Sequence, residues 1–168
     1  MKLPICVFDA KSGLLCQECQ AKLERGEITP IEVEISKAVV KLEERFPTLK
    51  DVTIGGAVEV GPFVVLKVEE KNILNIIGPK GKIISKIESM VKKNIRVVED
   101  TNDVQRVIES LLSGIEIIGI NKIFVPDGSE ELKIRVRSVD RNKLPASGEE
   151  LRKIIYKLTG ELTRLSFE

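Results

Sequence analysis

Residues 76–84 read Ile-Ile-Gly-Pro-Lys-Gly-Lys-Ile-Ile. Two glycines, two residues apart, stand between apolar pairs, with Lys80 inside the turn and Lys82 just after it. Glycine has no Cβ, so backbone at Gly78 and Gly81 can come close to another chain. A helix that starts after such a turn presents free N–H groups and the positive end of its dipole, which suit a phosphate. Lys80 and Lys82 add charge at the same place. The spacing predicts short helices over 72–77 and 82–93. The second carries Ile83, Ile84, Ile87, Met90 and Val91 on one face.

Working upstream, Ile31, Ile35, Val39 and Leu42 recur at helical spacing and predict a helix that stops before Pro47. Thr29 reads as its N-cap, Pro30 as its first residue and Glu32 as the partner in a capping box. Residues 52–60 read as a strand interrupted at Gly55-Gly56. Gly61-Pro62 is a turn, and 63–68 a second strand. Downstream, 95–98 closes the unit as a third strand. The order over 30–100 is therefore helix, strand, strand, helix, helix, strand.

The pattern recurs over 101–168. A helix is predicted over 103–112, capped at Asn102, and strands within 115–125 and over 132–139. A second helix covers 149–158, ended by Gly160, and a last strand covers 162–167. At an offset of 67, Gly81 falls on Gly148, Ile84 on Leu151 and Ile87 on Ile154. This is the signature of an internal duplication. The loops have diverged: Pro145-Ala146-Ser147-Gly148 replaces the first glycine with proline and the inner lysine with serine, and Glu149 stands where Lys82 does. The second loop is not expected to clamp phosphate.

Composition narrows the function. The 168 residues include 27 basic and 26 acidic side chains, no His, no Trp, one Tyr and five Phe. Without His, triads and His-based acid–base catalysis are excluded. No acidic cluster, P-loop or nucleophile–base pair appears, so no enzyme is expected. The scarcity of aromatics argues against a surface of stacked rings. The net charge of +1 conceals alternation: residues 63–97 carry +5 and 132–168 carry +4, and each block is preceded by an acidic one. No apolar run reaches 18 residues, and Asp9 and Lys11 interrupt any signal-peptide core. A cytoplasmic protein with no membrane association is expected.

The string over 76–87, in its helix–loop–helix setting, resembles a KH motif. The α-β-β-α-α-β order resembles the type II KH fold, so the expected fold class is α+β with two tandem type II KH domains, 30–100 and 101–168. Such a pair resembles the archaeal NusA-like proteins. The resemblance covers about residues 30–168, and "KLTGELTRLSF" near the end also resembles a NusA unit. It implies binding of single-stranded RNA in transcription elongation or termination, through Ile77, Gly78, Pro79, Lys80, Gly81, Lys82, Ile84, Lys86 and Arg96. The −6 charge of residues 98–131 and the degenerate second loop leave a second expectation open. In it the KH pair is a scaffold that contacts RNA polymerase or ribosome-associated proteins.

Residues 1–29 are expected to be a separate small element. They hold all three cysteines, spaced Cys6-x2-Asp9-x6-Cys16-x2-Cys19. The pattern resembles a zinc ribbon or knuckle in which Asp9 replaces one Cys, with Gly13 in the turn of a hairpin. Thiolates and a carboxylate can ligate Zn²⁺, so a structural Cys₃Asp zinc site is one reading and a metal-free packed element the other. The third Cys disfavours a redox Cys-x-x-Cys.

Overall fold

Two three-stranded sheets form, one in each of two units, Met1–Asp100 and Thr101–Glu168, in a computed structural model that describes residues 1–168. The fold is mixed α+β.

The first 29 residues form helices α1 (Val7–Ser12) and α2 (Gln17–Glu24), not the expected hairpin. Gly13, expected at a hairpin turn, ends α1 with φ 80°. This element is not separate either. Ile5, Ala10, Cys19 and Ile28 share a buried cluster with Val33 and Val40 of helix α3 (Pro30–Glu43). The Lys2 N–H donates to the Val52 carbonyl, and the Ile54 N–H donates to the Lys2 carbonyl. The opposite face of α3 buries Ile31, Ile35, Val39 and Leu42, the residues picked out by their spacing. A helix apolar on two faces is one packed on two sides.

The start of α3 departs from the expected capping box. The Thr29 hydroxyl donates 3.0 Å to Glu32 Oε1 and accepts no hydrogen bond from the helix backbone.

Strands β1 (Ile54–Val60) and β2 (Phe63–Val68) are antiparallel, and β2 pairs in parallel with β3 (Asn94–Glu99). The break expected at Gly55-Gly56 is a register shift between Ile54 and Gly56, a bulge. Helix α4 (Ile73–Ile77) and helix α5 (Lys82–Val91) lie in the β2–β3 crossover. Of the predicted α5 face, Ile83, Ile87 and Val91 are buried, Ile84 is half-buried and Met90 is exposed. Glu88 Oε2 accepts 2.9 Å from the Ile95 N–H, tying α5 to β3.

The second unit runs α6 (Val104–Leu111), β4 (Ile117–Phe124), β5 (Glu130–Val136), α7 (Gly148–Thr159) and β6 (Thr163–Phe167). Its sheet repeats the order, the antiparallel and parallel pairings and the bulge, here between Ile117 and Gly119. Two expectations are corrected. Asp103, not Asn102, caps α6, because its carboxylate accepts from the Gln105 and Arg106 N–H groups. Where the first unit has α4, the second has only a 3-10 segment, Ser138–Lys143, so it lacks the full α-β-β-α-α-β order. The ladders also adjust the repeat. The bulges equate Val68 with Val136, and the parallel pairings then equate Glu99 with Phe167, 68 residues apart rather than 67.

Ile87 is fully buried where α5 meets the sheet and α3. Ile87→Ala should destabilise the first unit by about 2–5 kcal/mol in urea unfolding followed by circular dichroism.

Candidate nucleic-acid interface and metal-ligand cluster

The loop that leaves α4 is built by three residues with positive φ: Gly78 (φ 77°), Lys80 (φ 54°) and Gly81 (φ 71°). A Cβ at Gly78 would lie 2.6 Å from Cγ1 of the buried Ile83, which has no room to move. Lys80 holds its conformation without glycine's freedom, at a cost of about 1–3 kcal/mol, a strain that clusters at functional loops. Pro79 occupies the remaining position, where a fixed negative φ fits.

This backbone path sets what the loop offers. The Gly81 N–H donates 3.1 Å to the Gly78 carbonyl, closing the turn. The Lys82 N–H donates to the Pro79 carbonyl, and no side chain caps α5, so the positive end of its helix dipole lies uncovered behind the loop. Pro79, Lys80 and Lys82 are exposed, and no carboxylate pairs with Lys80, Lys82 or Lys86. Gly81 and Lys86 are half-buried. Ile77 and Ile84 are half-buried against the core, flanking the turn. The residues from Ile77 to Lys82 thus form one contiguous surface, with Ile84 and Lys86 on the α5 turn beyond. Arg96 stands apart on β3. It is half-buried, desolvation holds its guanidinium below the usual arginine range, and it already has an interaction within the chain.

The equivalent end of the second unit is closed. Ser147 Oγ accepts 3.2 Å from the Glu150 N–H, and the Glu150 carboxylate accepts 3.3 Å from the Ser147 N–H. This capping box satisfies the Glu150 and Ser147 N–H groups from within, and Glu149 and Glu150 oppose an incoming anion. Much of the basic block is neutralised. Arg135 pairs with Glu168 at 2.8 Å, Arg137 with Glu116 at 3.0 Å, Lys143 with Asp140 at 3.1 Å and Arg164 with Glu131 at 3.1 Å. Arg141 lies over the Phe167 ring, 4.2 Å from its centroid.

Sequence reasoning missed Phe46. It is half-buried just after α3, with the Arg45 guanidinium 5.8 Å and the Lys82 ammonium 5.9 Å from its ring centroid. An aromatic before Pro47, in a chain with five Phe, was the available signal.

Cys6, Asp9, Cys16 and Cys19 converge, with one ligand atom from each lying within 4.8 Å of the others. Helix geometry does the gathering. Cys6 and Cys16 are the N-caps of α1 and α2, and Asp9 and Cys19 sit in the first turns. The Cys19 thiol lies 3.5 Å from Cys6 Sγ, and the Cys16 N–H donates 3.0 Å to Asp9 Oδ2. Sulfurs about 2.3 Å from one tetrahedral ion lie ~3.8 Å apart, so the spacing fits a shared metal. That Cys16 N–H bond is the main cause that holds the Asp9 carboxyl below the usual carboxylate range. Burial pushes the Cys19 thiol up to about 12, the cost of packing a thiol inside with no cation beside it.

The chain matches no protein-family model and no curated protein. Among solved structures it is similar to one described as "Crystal structure of APE1850". The TM-score is 0.58 and the identity 22%, over 79% of this chain and 96% of that one. That likeness concerns the fold alone. No helix is long and apolar enough to cross a membrane.

In metal-free protein at about pH 8, Cys6 and Cys16 should react rapidly with a chromogenic disulfide reagent and the buried Cys19 at least ~10-fold more slowly. Three equal rates would contradict the packing of Cys19.

Proposed function

We propose that the chain binds single-stranded RNA through residues 77–82, the first of two tandem type II KH units. The observation that carries this reading is the loop itself. Three positive-φ residues bring backbone to the surface, an uncapped helix end lies behind it, and Lys80 and Lys82 have no carboxylate partner. Each feature favours a phosphate, and together they fit a chain of phosphates better than one ion. Ile77 and Ile84 supply apolar walls for bases. Such a unit grips about four nucleotides.

The second unit is the structural partner in this reading. Its helix end is internally capped and its arginines are mostly paired. Conserving the sheet while closing the loop is what a packing role requires. By resemblance, the pair serves a NusA-like role in transcription elongation or termination.

The four ligands near the amino terminus hold zinc in this proposal: Cys6, Cys16 and Cys19 as thiolates and Asp9 through oxygen. The ion supplies the positive charge that a buried Cys19 thiolate lacks, and it locks α1 and α2 against α3.

Changing Pro79 and Lys80 together to acidic residues should lower RNA affinity about 100-fold or more in gel shifts. Stability should change by no more than about 1 kcal/mol, since both side chains are exposed and the main loss is the fixed φ of Pro79. Unchanged affinity would remove the loop from the mechanism. Elemental analysis should find about one zinc per chain and little in Cys19→Ser, and chelation should lower the melting temperature. A chain purified without metal that melts no lower would leave the site without a structural role.

A further inference from the structure

Phe46 is the one feature beside the loop that the RNA-binding reading does not use. It lies at the exit of α3, and the Thr48 hydroxyl donates 3.3 Å to the Asn75 carbonyl, fixing this segment against α4. The Lys82 ammonium lies 5.9 Å from the ring centroid, so the ring borders the residue that follows the Gly78–Gly81 turn. Arg45 contributes a guanidinium at 5.8 Å. Both cations lie over the ring at distances near the outer limit of a cation–π contact, about 6 Å, so each contact is weak and a base can displace it. Neither cation has a carboxylate partner.

An aromatic ring with two loosely held, unpaired cations over it, next to the Gly78–Gly81 turn, is the chemistry that holds one further nucleotide. The ring stacks a base and the cations take the adjoining phosphates. A purely structural role accounts for the half of Phe46 that packs on the core. It does not account for two unpaired cations gathered around the remainder.

We propose that Phe46, with Arg45 and Lys82, forms a base-stacking subsite for single-stranded RNA that extends the footprint of the Gly78–Gly81 loop by one nucleotide. The inference rests on the loop binding RNA. Because a ring stacks any base, the subsite adds affinity and register without base preference.

The chain has no Trp, so Phe46→Trp is a single emission reporter. Saturating this variant with an eight-nucleotide single-stranded RNA should quench and shift its emission. The same RNA with abasic sites in place of bases should leave the emission near that of free protein. Phe46→Leu, which keeps apolar packing, should weaken binding to the eight-mer by about tenfold and to a tetranucleotide by less than about twofold. Emission unchanged at saturation, or equal loss on both lengths, overturns the subsite. The acidic loop variant separates the two claims. If it abolishes binding while Phe46→Leu and Phe46→Trp change nothing, the subsite fails and the loop stands. If the loop variant binds normally, the reading beneath the subsite fails.

Discussion

Parallel pairing of β2 with β3 is the constraint from which the first unit follows. Antiparallel neighbours can be joined by a tight turn, as Gly61-Pro62 joins β1 to β2. Parallel neighbours cannot, because the chain must return to the end of the sheet where it started. The return must also satisfy its backbone hydrogen bonds and cover the apolar face of the sheet, so it becomes helical. One long helix does not suit residues 69–93. The apolar set at Ile73 and Ile76 belongs to one direction, and that at Ile83, Ile87 and Val91 to another. A reversal must fall between them. That reversal is the Gly78–Gly81 turn, placed at the surface by topology before any ligand is considered.

The same reasoning explains why α3 is apolar on two faces. The sheet and α5 take one face, through Ile31, Ile35, Val39 and Leu42. Val33 and Val40 would be left facing water without α1 and α2. Those helices are six and eight residues long, too short to persist alone. Convergence of three thiols and a carboxylate on their N-termini suits the size of the problem. A few ligands can fix two short helices where burial of five or six side chains is marginal.

Much of this was legible in the sequence. Period-3.6 apolar spacing located α3 and α5, and the repeat at an offset of 67 with Gly160 as its end located α7. The Gly-x-x-Gly string located the loop because only special backbone needs such residues. The amino-terminal element was misread because ligand spacing reports which atoms can meet and says nothing about the backbone between them. Cys6-x2-Asp9 and Cys16-x2-Cys19 fit helical first turns as well as hairpin turns. The capping residue before α6 was misplaced by one, since Asn102 and Asp103 are both good caps and only geometry chooses. A Phe before Pro47 was a weak local signal, but the proximity of Phe46 to Lys82 spans 36 positions and no local pattern encodes it.

Charge counting needs the same correction. Two blocks of similar excess, +5 and +4, read alike as sequence. In the first, Lys71 and Lys93 pair with Glu69 and Glu59, but Lys80, Lys82 and Lys86 have no acidic partner, so the field of these three extends into solvent. In the second, Arg135, Arg137, Arg164 and Lys143 each have a carboxylate within about 3 Å, and Glu149 and Glu150 put two more in the first turn of α7. A paired surface ion contributes little to long-range attraction, because opposite charges that close cancel over distances near the Debye length of about 8–10 Å. Charge available to a polyanion therefore depends on where the carboxylates fold back. A few acidic residues beside the arginines suffice to close the helix end of the second unit while the loop of the first stays open.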